Sequence, residues 1–147
     1  MGRLDMIHID RSQRAQAFNK VVEQGKLLLA QGIWIIMFPE GTRINRGEKG
    51  AYKNGGTRLA IETGAPVIPI AITSAKCWPR RAFIKTPGVV DVSIGPPIPS
   101  AGRQPDELMR EVEAWIEAEM RRLDPEAYGV GHSAAPAAAP APAPWAR

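Results

Sequence analysis

One short segment of the chain concentrates side chains that could bind an anion. The run Phe38-Pro39-Glu40-Gly41-Thr42-Arg43 is followed by four more cations, Arg46, Lys49, Lys53 and Arg58. Arginine offers a planar fork for phosphate oxygens, lysine supplies a point charge, and Gly41 and Thr42 let backbone and hydroxyl donors approach closely. The segment therefore predicts a phosphate-binding loop. The alternative is a surface turn in which Glu40 pairs with Arg43 and the other cations are solvated.

Two further segments could contribute to the same site. Arg11 follows Asp10 directly and precedes Ser12, where a helix can begin, and the free N–H groups of a helix start attract anions. The alternative for this segment is a capping serine beside a surface ion pair. The run 52–57 could present Lys53 and a glycine backbone to the phosphate, but no GxxxxGK[ST] pattern occurs in the sequence. A nucleotide-binding function therefore loses its main support.

The first half of the chain predicts the elements that would position these residues. Residues 6–10 alternate as in a short strand, and a helix capped by Ser12 and ended by Gly32 follows. Residues 33–38 are apolar throughout, which is typical of a central strand covered on both faces. Because open α/β sheets bind ligands beyond the carboxyl ends of their strands, the run 38–43 lies where a site is expected.

The second half of the chain continues the alternation of strands and helices. A short helix is predicted over 57–63, and a strand over 67–73 is interrupted by Pro69, which favours an edge or a bulge. The turn signal Pro87-Gly88 predicts a hairpin between 83–85 and 89–94. An amphipathic helix is predicted over 105–123, opened by acids, closed by arginines and ended by Pro125. We expect an α/β fold, a layered mixed β-sheet flanked by helices.

Composition indicates one globular domain with a tail. The 147 residues are 44% hydrophobic and 23% charged, and the chain is long enough to bury a core without disulfides. The lone Cys77 has no partner, which favours a reducing compartment, and no neighbouring histidine or cysteine suggests catalysis or a metal site. The Ala/Pro-rich end of the chain blocks helices and offers little to bury. We therefore expect a domain over 1–128 and a disordered tail over 129–147.

The charge balance narrows the classes of partner. A net charge of +4 favours lipid head groups, phosphorylated substrates or nucleic acid. No nucleic-acid motif is present and aromatic residues are 6%, so we expect no nucleic-acid partner. No apolar run approaches the roughly 20 residues that cross a bilayer. The stretch 76–85 mixes four cations with Trp78, Phe83 and Ile84, which suits an anionic membrane surface, the alternative being a surface loop with a partly buried tryptophan.

Taken in order, these segments resemble the glycerolipid acyltransferase family, the lysophosphatidic acid acyltransferases. The family's second block, an apolar strand closing on Asp-Arg, resembles 7–11, and its Phe-Pro-Glu-Gly-Thr-Arg signature stands intact at 38–43. The lysine and glycine that follow resemble Lys53 and Gly55, and the fourth block, a proline within an apolar strand, resembles 67–70. The resemblance implies that the acceptor's glycerol phosphate is held by Arg11, Glu40, Gly41, Thr42 and Arg43, with Lys53 beside them.

One family block has no counterpart. The family's His-x4-Asp block supplies a general base for the acceptor hydroxyl and an aspartate that orients it. Here the residue five after His8 is Gln13 and the residue five after His132 is Ala137. We expect His8 to be a structural strand residue, no catalytic residue in this chain, and an N-terminally truncated family domain.

The resemblance also implies a reaction and its partners. The implied activity is acyl transfer from acyl-CoA or acyl carrier protein, as co-substrate rather than cofactor, to the sn-2 hydroxyl of lysophosphatidic acid, giving phosphatidic acid. The implied place is the cytoplasmic face of the cell membrane, with the chain bound peripherally. We expect this chain alone to be nearly inactive. The alternative is a non-catalytic module that binds anionic lipid or phosphate through the same cations.

Overall fold

The computed structural model describes residues 14–129. Within that range the chain forms three helices and two short strands, in the order α1 (Arg14–Ala30), α2 (Gly55–Thr63), β1 (Ile70–Ile72), β2 (Val92–Ile94) and α3 (Pro105–Leu123). Two single-turn 3-10 helices, Ser74–Lys76 and Pro125–Tyr128, follow β1 and α3. The predicted strand at 6–10 and the predicted tail, apart from Gly129, lie outside the described residues.

Helix α1 confirms the predicted helix and ends where glycine was expected. Gly32 has φ +74°, a left-handed conformation that glycine adopts without a Cβ penalty. The Ile33 N–H returns to the Leu28 carbonyl at 2.9 Å, which satisfies one of the last carbonyls of the helix. Helix α1 packs on α2 at Gly25, where a Cβ would lie 3.0 Å from Leu59. A small residue there lets the two helices approach closely.

Helix α3 begins and ends at the predicted residues and supplies three of the four buried residues of the main hydrophobic cluster. Leu108, Met109 and Val112 are buried against Ile98, and this cluster is the hydrophobic centre of the described chain. Acidic residues occupy the first turn and Arg121 and Arg122 the last, as the helix dipole favours. The amphipathic pattern of the sequence was therefore sufficient to locate this element.

Strands β1 and β2 form a two-stranded antiparallel sheet. Ile70 pairs with Ile94 and Ile72 with Val92, and an isolated bridge joins Val67 to Ile98. Pro69 lies between the bridge and the strand, where its carbonyl accepts a hydrogen bond from Gly95 at 2.9 Å. The interruption expected from this proline is therefore present.

The predicted hairpin between 83–85 and 89–94 is wrong. The strand partner of Val92–Ile94 is β1, and residues 83–85 form no strand. Residues 77–86 instead close on themselves, because the Thr86 N–H donates to the Cys77 carbonyl at 2.9 Å. The Pro87-Gly88 turn signal predicts the tip of a hairpin, but in the structure these two residues directly follow the closed loop.

Among residues 14–129, the predicted central strand at 33–38 is also not formed. No other segment between residues 14 and 129 pairs with it, and Trp34, Ile36 and Phe38 are 75 to 77% exposed. A strand exists only through the ladder it shares with a neighbour, so apolar character alone does not produce one. The α/β class itself is confirmed, with a smaller, antiparallel sheet in the described part. No helix within residues 14–129 is both long and apolar enough to span a bilayer.

Candidate functional site

The run 38–43, called the signature loop below, turns sharply at Gly41. The Gly41 N–H donates to the Phe38 carbonyl at 3.0 Å, and Gly41 has φ +67°. Because a side chain is strained at such a φ, glycine is the residue that makes this turn at little cost. The turn leaves Gly41, Thr42 and Arg43 exposed, so the side-chain donors of Thr42 and Arg43 face solvent.

Lys53 is brought to the signature loop as the sequence predicted. Its backbone N–H donates to the Pro39 carbonyl at 3.0 Å, which ties the two segments together. Its Nζ lies 3.0 Å from the point where a Cβ on Gly41 would be. An ammonium group therefore stands directly beside the Gly41 backbone, an arrangement suited to an anion.

Arg43 does not pair with Glu40, so the alternative of a self-paired surface turn is not what the structure contains. Its guanidinium carbon lies 4.2 Å from the centre of the Trp78 ring, and Lys85 Nζ lies 4.1 Å from the same ring. Stacking on an aromatic face holds an arginine while leaving its N–H donors available. Sequence reasoning placed Trp78 in a surface stretch and did not connect it with Arg43.

The side chain of Glu40, within the signature loop, is half-buried. Burial and the neighbouring Glu117 carboxylate raise the pKa of Glu40 above its usual range. Gly50 makes room for it, because a Cβ there would lie 3.2 Å from Glu40 Cγ. This carboxylate is therefore held against the protein rather than in solvent.

A buried contact on the inner side of the site was not foreseen. The Tyr52 hydroxyl donates to Glu117 Oε1 at 3.1 Å, and Glu117 is 7% exposed. Glu117 Oε2 accepts no hydrogen bond and lies 3.6 Å from Arg121 Nη1. Burial raises the pKa of Tyr52, and the charge of the Glu117 carboxylate raises it further. Glu117 lies beside the apolar face that the sequence pattern predicts for α3 and not within it, so no local signal marks it as buried.

Three cations grouped with the site have structural partners instead. Arg46 makes a two-pronged ion pair with Asp124, with both hydrogen bonds at 2.7 Å, and this pairing lowers the pKa of Asp124. Lys49 pairs with Glu113 on α3, and Arg58 stacks on Phe18 of α1 at 4.1 Å. The first two fasten the segment after the signature loop to α3 and its end. Arg43 and Lys53 are the cations that remain at the loop among the described residues.

The start of α2 adds backbone donors close to Lys53. Asn54 caps the helix through its backbone, and its side chain donates to Asp106 on α3 at 2.7 Å. Nothing lies within 4 Å of the Cβ position of Gly55, so the backbone is open on that side. The helix start and the lysine together favour a negative group. Arg11, His8 and Asp10 lie outside the described residues.

Comparison with known proteins places these features in a family. Residues 1–73 match the family model described as Acyltransferase. The chain is 40% identical over 135 residues to a 1-acyl-sn-glycerol-3-phosphate acyltransferase of Pseudomonas aeruginosa, covering 90% of this chain and 52% of that protein. It is 34% identical over 106 residues to the human 1-acyl-sn-glycerol-3-phosphate acyltransferase alpha, covering 70% of this chain and 37% of that protein.

A solved structure agrees with the sequence comparisons. The 1-acyl-sn-glycerophosphate acyltransferase PlsC from Thermotoga maritima superposes with a TM-score of 0.64 at 30% sequence identity. The match covers 69% of this chain and 45% of that one. The chain thus spans between 37% and 52% of the length of these three relatives.

Proposed function

Because this chain belongs to the acyltransferase family, we propose that its signature loop binds the phosphate of 1-acyl-glycerol 3-phosphate, the lipid in its relatives' names. In the proposed reaction, which belongs to phospholipid synthesis, the sn-2 hydroxyl oxygen bonds to the acyl carbon of acyl-CoA or acyl carrier protein. The thiolate leaves, and phosphatidic acid forms. The observation that carries the proposal is the Lys53 ammonium beside the Gly41 backbone.

Each residue of the proposed site has a distinct task. Lys53 and Arg43 neutralise the phosphate, the Thr42 hydroxyl donates to one of its oxygens, and Gly41, whose N–H is bonded to Phe38, lets the phosphate approach closely because it has no side chain. Glu40 carries the wrong charge for phosphate when ionised, so we assign it to a glycerol hydroxyl, from which it accepts a hydrogen bond. Arg11, from the resemblance, is the third cation of the proposed site.

We assign this chain the binding of the acceptor and not the proton transfer. The hydroxyl proton must go to a base as the ester bond forms, and no His-x4-Asp pattern occurs in the 147 residues. A positioned base is worth about 10²- to 10⁴-fold in rate, so we expect negligible turnover from the chain alone. We place the reaction at the cytoplasmic face of the cell membrane, since the acceptor is a lipid.

Calorimetric titration with glycerol 3-phosphate tests the binding step without a lipid tail. Removing one charged donor from a phosphate costs about tenfold or more in affinity, so Arg43→Ala and Lys53→Ala should each weaken binding by at least that factor. Lys20→Ala and Arg110→Ala, exposed cations on α1 and α3, are the matched controls and should leave affinity unchanged. Equal affinities in all four variants would contradict the proposed site.

A non-catalytic anion-binding module is the second candidate, and the missing His-x4-Asp pattern favours it. Both candidates predict phosphate binding that Arg43→Ala weakens. The two candidates predict different results for a fusion protein in which a family segment that carries the pattern precedes residue 1. Transfer of a radiolabelled acyl group to lysophosphatidate by the fusion supports the acyltransferase, and its absence with phosphate binding intact supports the module. Robust turnover by the unfused chain would contradict our assignment of the base to another segment.

A further inference from the structure

Residues 77–86, called the Trp78 loop, form a closed loop beside the signature loop. Beyond the bond from Thr86 to Cys77 that closes it, the Trp78 indole N–H donates to the Ala82 carbonyl at 3.1 Å. The Ala82 N–H donates to the Pro79 carbonyl at 3.2 Å. The loop is therefore held by its own hydrogen bonds.

The outer part of this loop exposes large apolar side chains. Phe83 is 100% exposed and Ile84 is 75% exposed. Leaving such side chains in water forfeits the gain that burial would bring. A fully exposed phenylalanine followed by an isoleucine is typical of a surface that meets an apolar phase.

Cations surround these apolar side chains. Arg80, Arg81 and Lys85 are exposed, and no acidic residue occurs from residue 77 to residue 90. Arg81 adopts φ 62°, a left-handed conformation that is strained for a non-glycine residue. Basic groups around protruding apolar side chains match a lipid surface, whose anionic head groups lie above an apolar layer.

The Trp78 loop also contacts the proposed acceptor site. Trp78 stacks on Arg43 of the signature loop, and Lys85 lies over the same ring. The Trp78 indole is in turn bonded to Ala82, the residue before Phe83. A surface that Phe83 enters would therefore lie close to Arg43 of the signature loop.

We propose that the Trp78 loop docks the chain on an anionic lipid bilayer, with Phe83 and Ile84 entering the layer and Arg80, Arg81 and Lys85 meeting its head groups. This assignment deepens the proposed function, since it places the phosphate site at the surface where a lipid acceptor resides. The docking itself depends only on the loop and needs no phosphate binding.

Vesicle sedimentation with the full chain tests the docking. We expect more binding to phosphatidylcholine vesicles that contain phosphatidylglycerol than to phosphatidylcholine alone, and less binding as salt is raised. Ile84→Ser should reduce the partition constant by about tenfold, and Phe83→Ser by at least as much. Replacing Arg80, Arg81 and Lys85 by glutamine should remove the preference for the anionic vesicles.

Two matched controls separate the loop from apolar exposure elsewhere. Ile94→Ser on β2 and Ile36→Ser before the signature loop remove side chains that are 69% and 77% exposed. Both should leave vesicle binding unchanged, and circular dichroism should show all variants folded. The proposal is overturned if the loop variants bind as the unaltered chain does, if the controls lose as much binding, or if no vesicle binds.

The calorimetric titration keeps the two proposals distinguishable. Vesicle binding that is lost in Phe83→Ser while glycerol 3-phosphate affinity is unchanged supports the docking loop and leaves the acceptor site intact. Vesicle binding without any glycerol 3-phosphate affinity would remove the proposed function and retain the docking loop.

Discussion

Replacing Gly41 by alanine tests the turn and the lysine at once. At φ +67° an alanine costs about 1 to 2 kcal/mol in the folded chain. Its reduced freedom in the unfolded chain returns about 0.4 to 1 kcal/mol, so we expect a net loss of about 1 kcal/mol in unfolding free energy. For a chain of this size that loss lowers Tm by about 4 °C. The new Cβ would lie 3.0 Å from Lys53 Nζ, a flexible group that moves away.

Displacing that ammonium is what should change binding. The shifted ammonium keeps its charge but not its position, so we expect weaker glycerol 3-phosphate affinity, by less than the roughly tenfold expected for Lys53→Ala, measured by calorimetric titration. Gly102→Ala is the matched control, because Gly102 has φ +72° and nothing lies within 4 Å of its Cβ position. Both variants should lose similar stability in urea, and Gly41→Ala alone should lose affinity. Equal affinity in the two variants would refute the role given to Lys53 beside this turn.

Three further changes test the packing around the site. Tyr52→Phe removes a hydrogen bond to the buried Glu117 carboxylate, and no other side chain in the described range donates one to it. The variant should lower the free energy of unfolding by about 1 to 3 kcal/mol, measured in urea, and an unchanged urea midpoint would contradict this. Glu40→Gln should stabilise the fold increasingly as pH rises. Burial raises the pKa of Glu40 in the folded chain, so the unaltered protein loses stability as pH rises through that pKa, whereas glutamine does not ionise. Urea midpoints from about pH 4 to about pH 8 measure this trend, and a gain confined to acid would reverse the sign. Gly95→Ala should lower unfolding free energy by about 1 to 3 kcal/mol, because its Cβ would lie 2.7 Å from the Trp115 ring, and a neutral result in urea would show that the ring can move.

The helices were predictable because their signals are local. The 3.6-residue periodicity, the acids and arginines at the ends and Pro105 at the first position locate α3 without tertiary information. Gly32 and Gly64, both left-handed, likewise mark the ends of α1 and α2. For the helices, local sequence signals were therefore sufficient.

The strands were harder because pairing depends on distant segments. Residues 33–38 have the apolar composition of a buried strand, yet composition does not supply a neighbour to complete the ladder. The segment 92–94 pairs with β1, some twenty residues away, instead of with the closer 83–85. A turn signal such as Pro87-Gly88 cannot decide between these partners.

The candidate site likewise has parts that local sequence predicts and parts that depend on distant segments. The turn at Gly41 and the presence of Lys53 beside it follow from residue types and order. The stacking of Arg43 on Trp78 and the contact between Tyr52 and Glu117 join segments that are 35 and 65 residues apart. No local pattern encodes those meetings.

The ion pair between Arg46 and Asp124 has a consequence for how the chain acquires its site. Its partners are 78 residues apart, so this link between the segment after the signature loop and the end of α3 forms only when that end arrives. Closing so long a stretch of chain is entropically costly and slows folding. The signature loop should therefore mature late, after the helices have collapsed, and protease cleavage within α3 should release it even though the cut is remote in sequence.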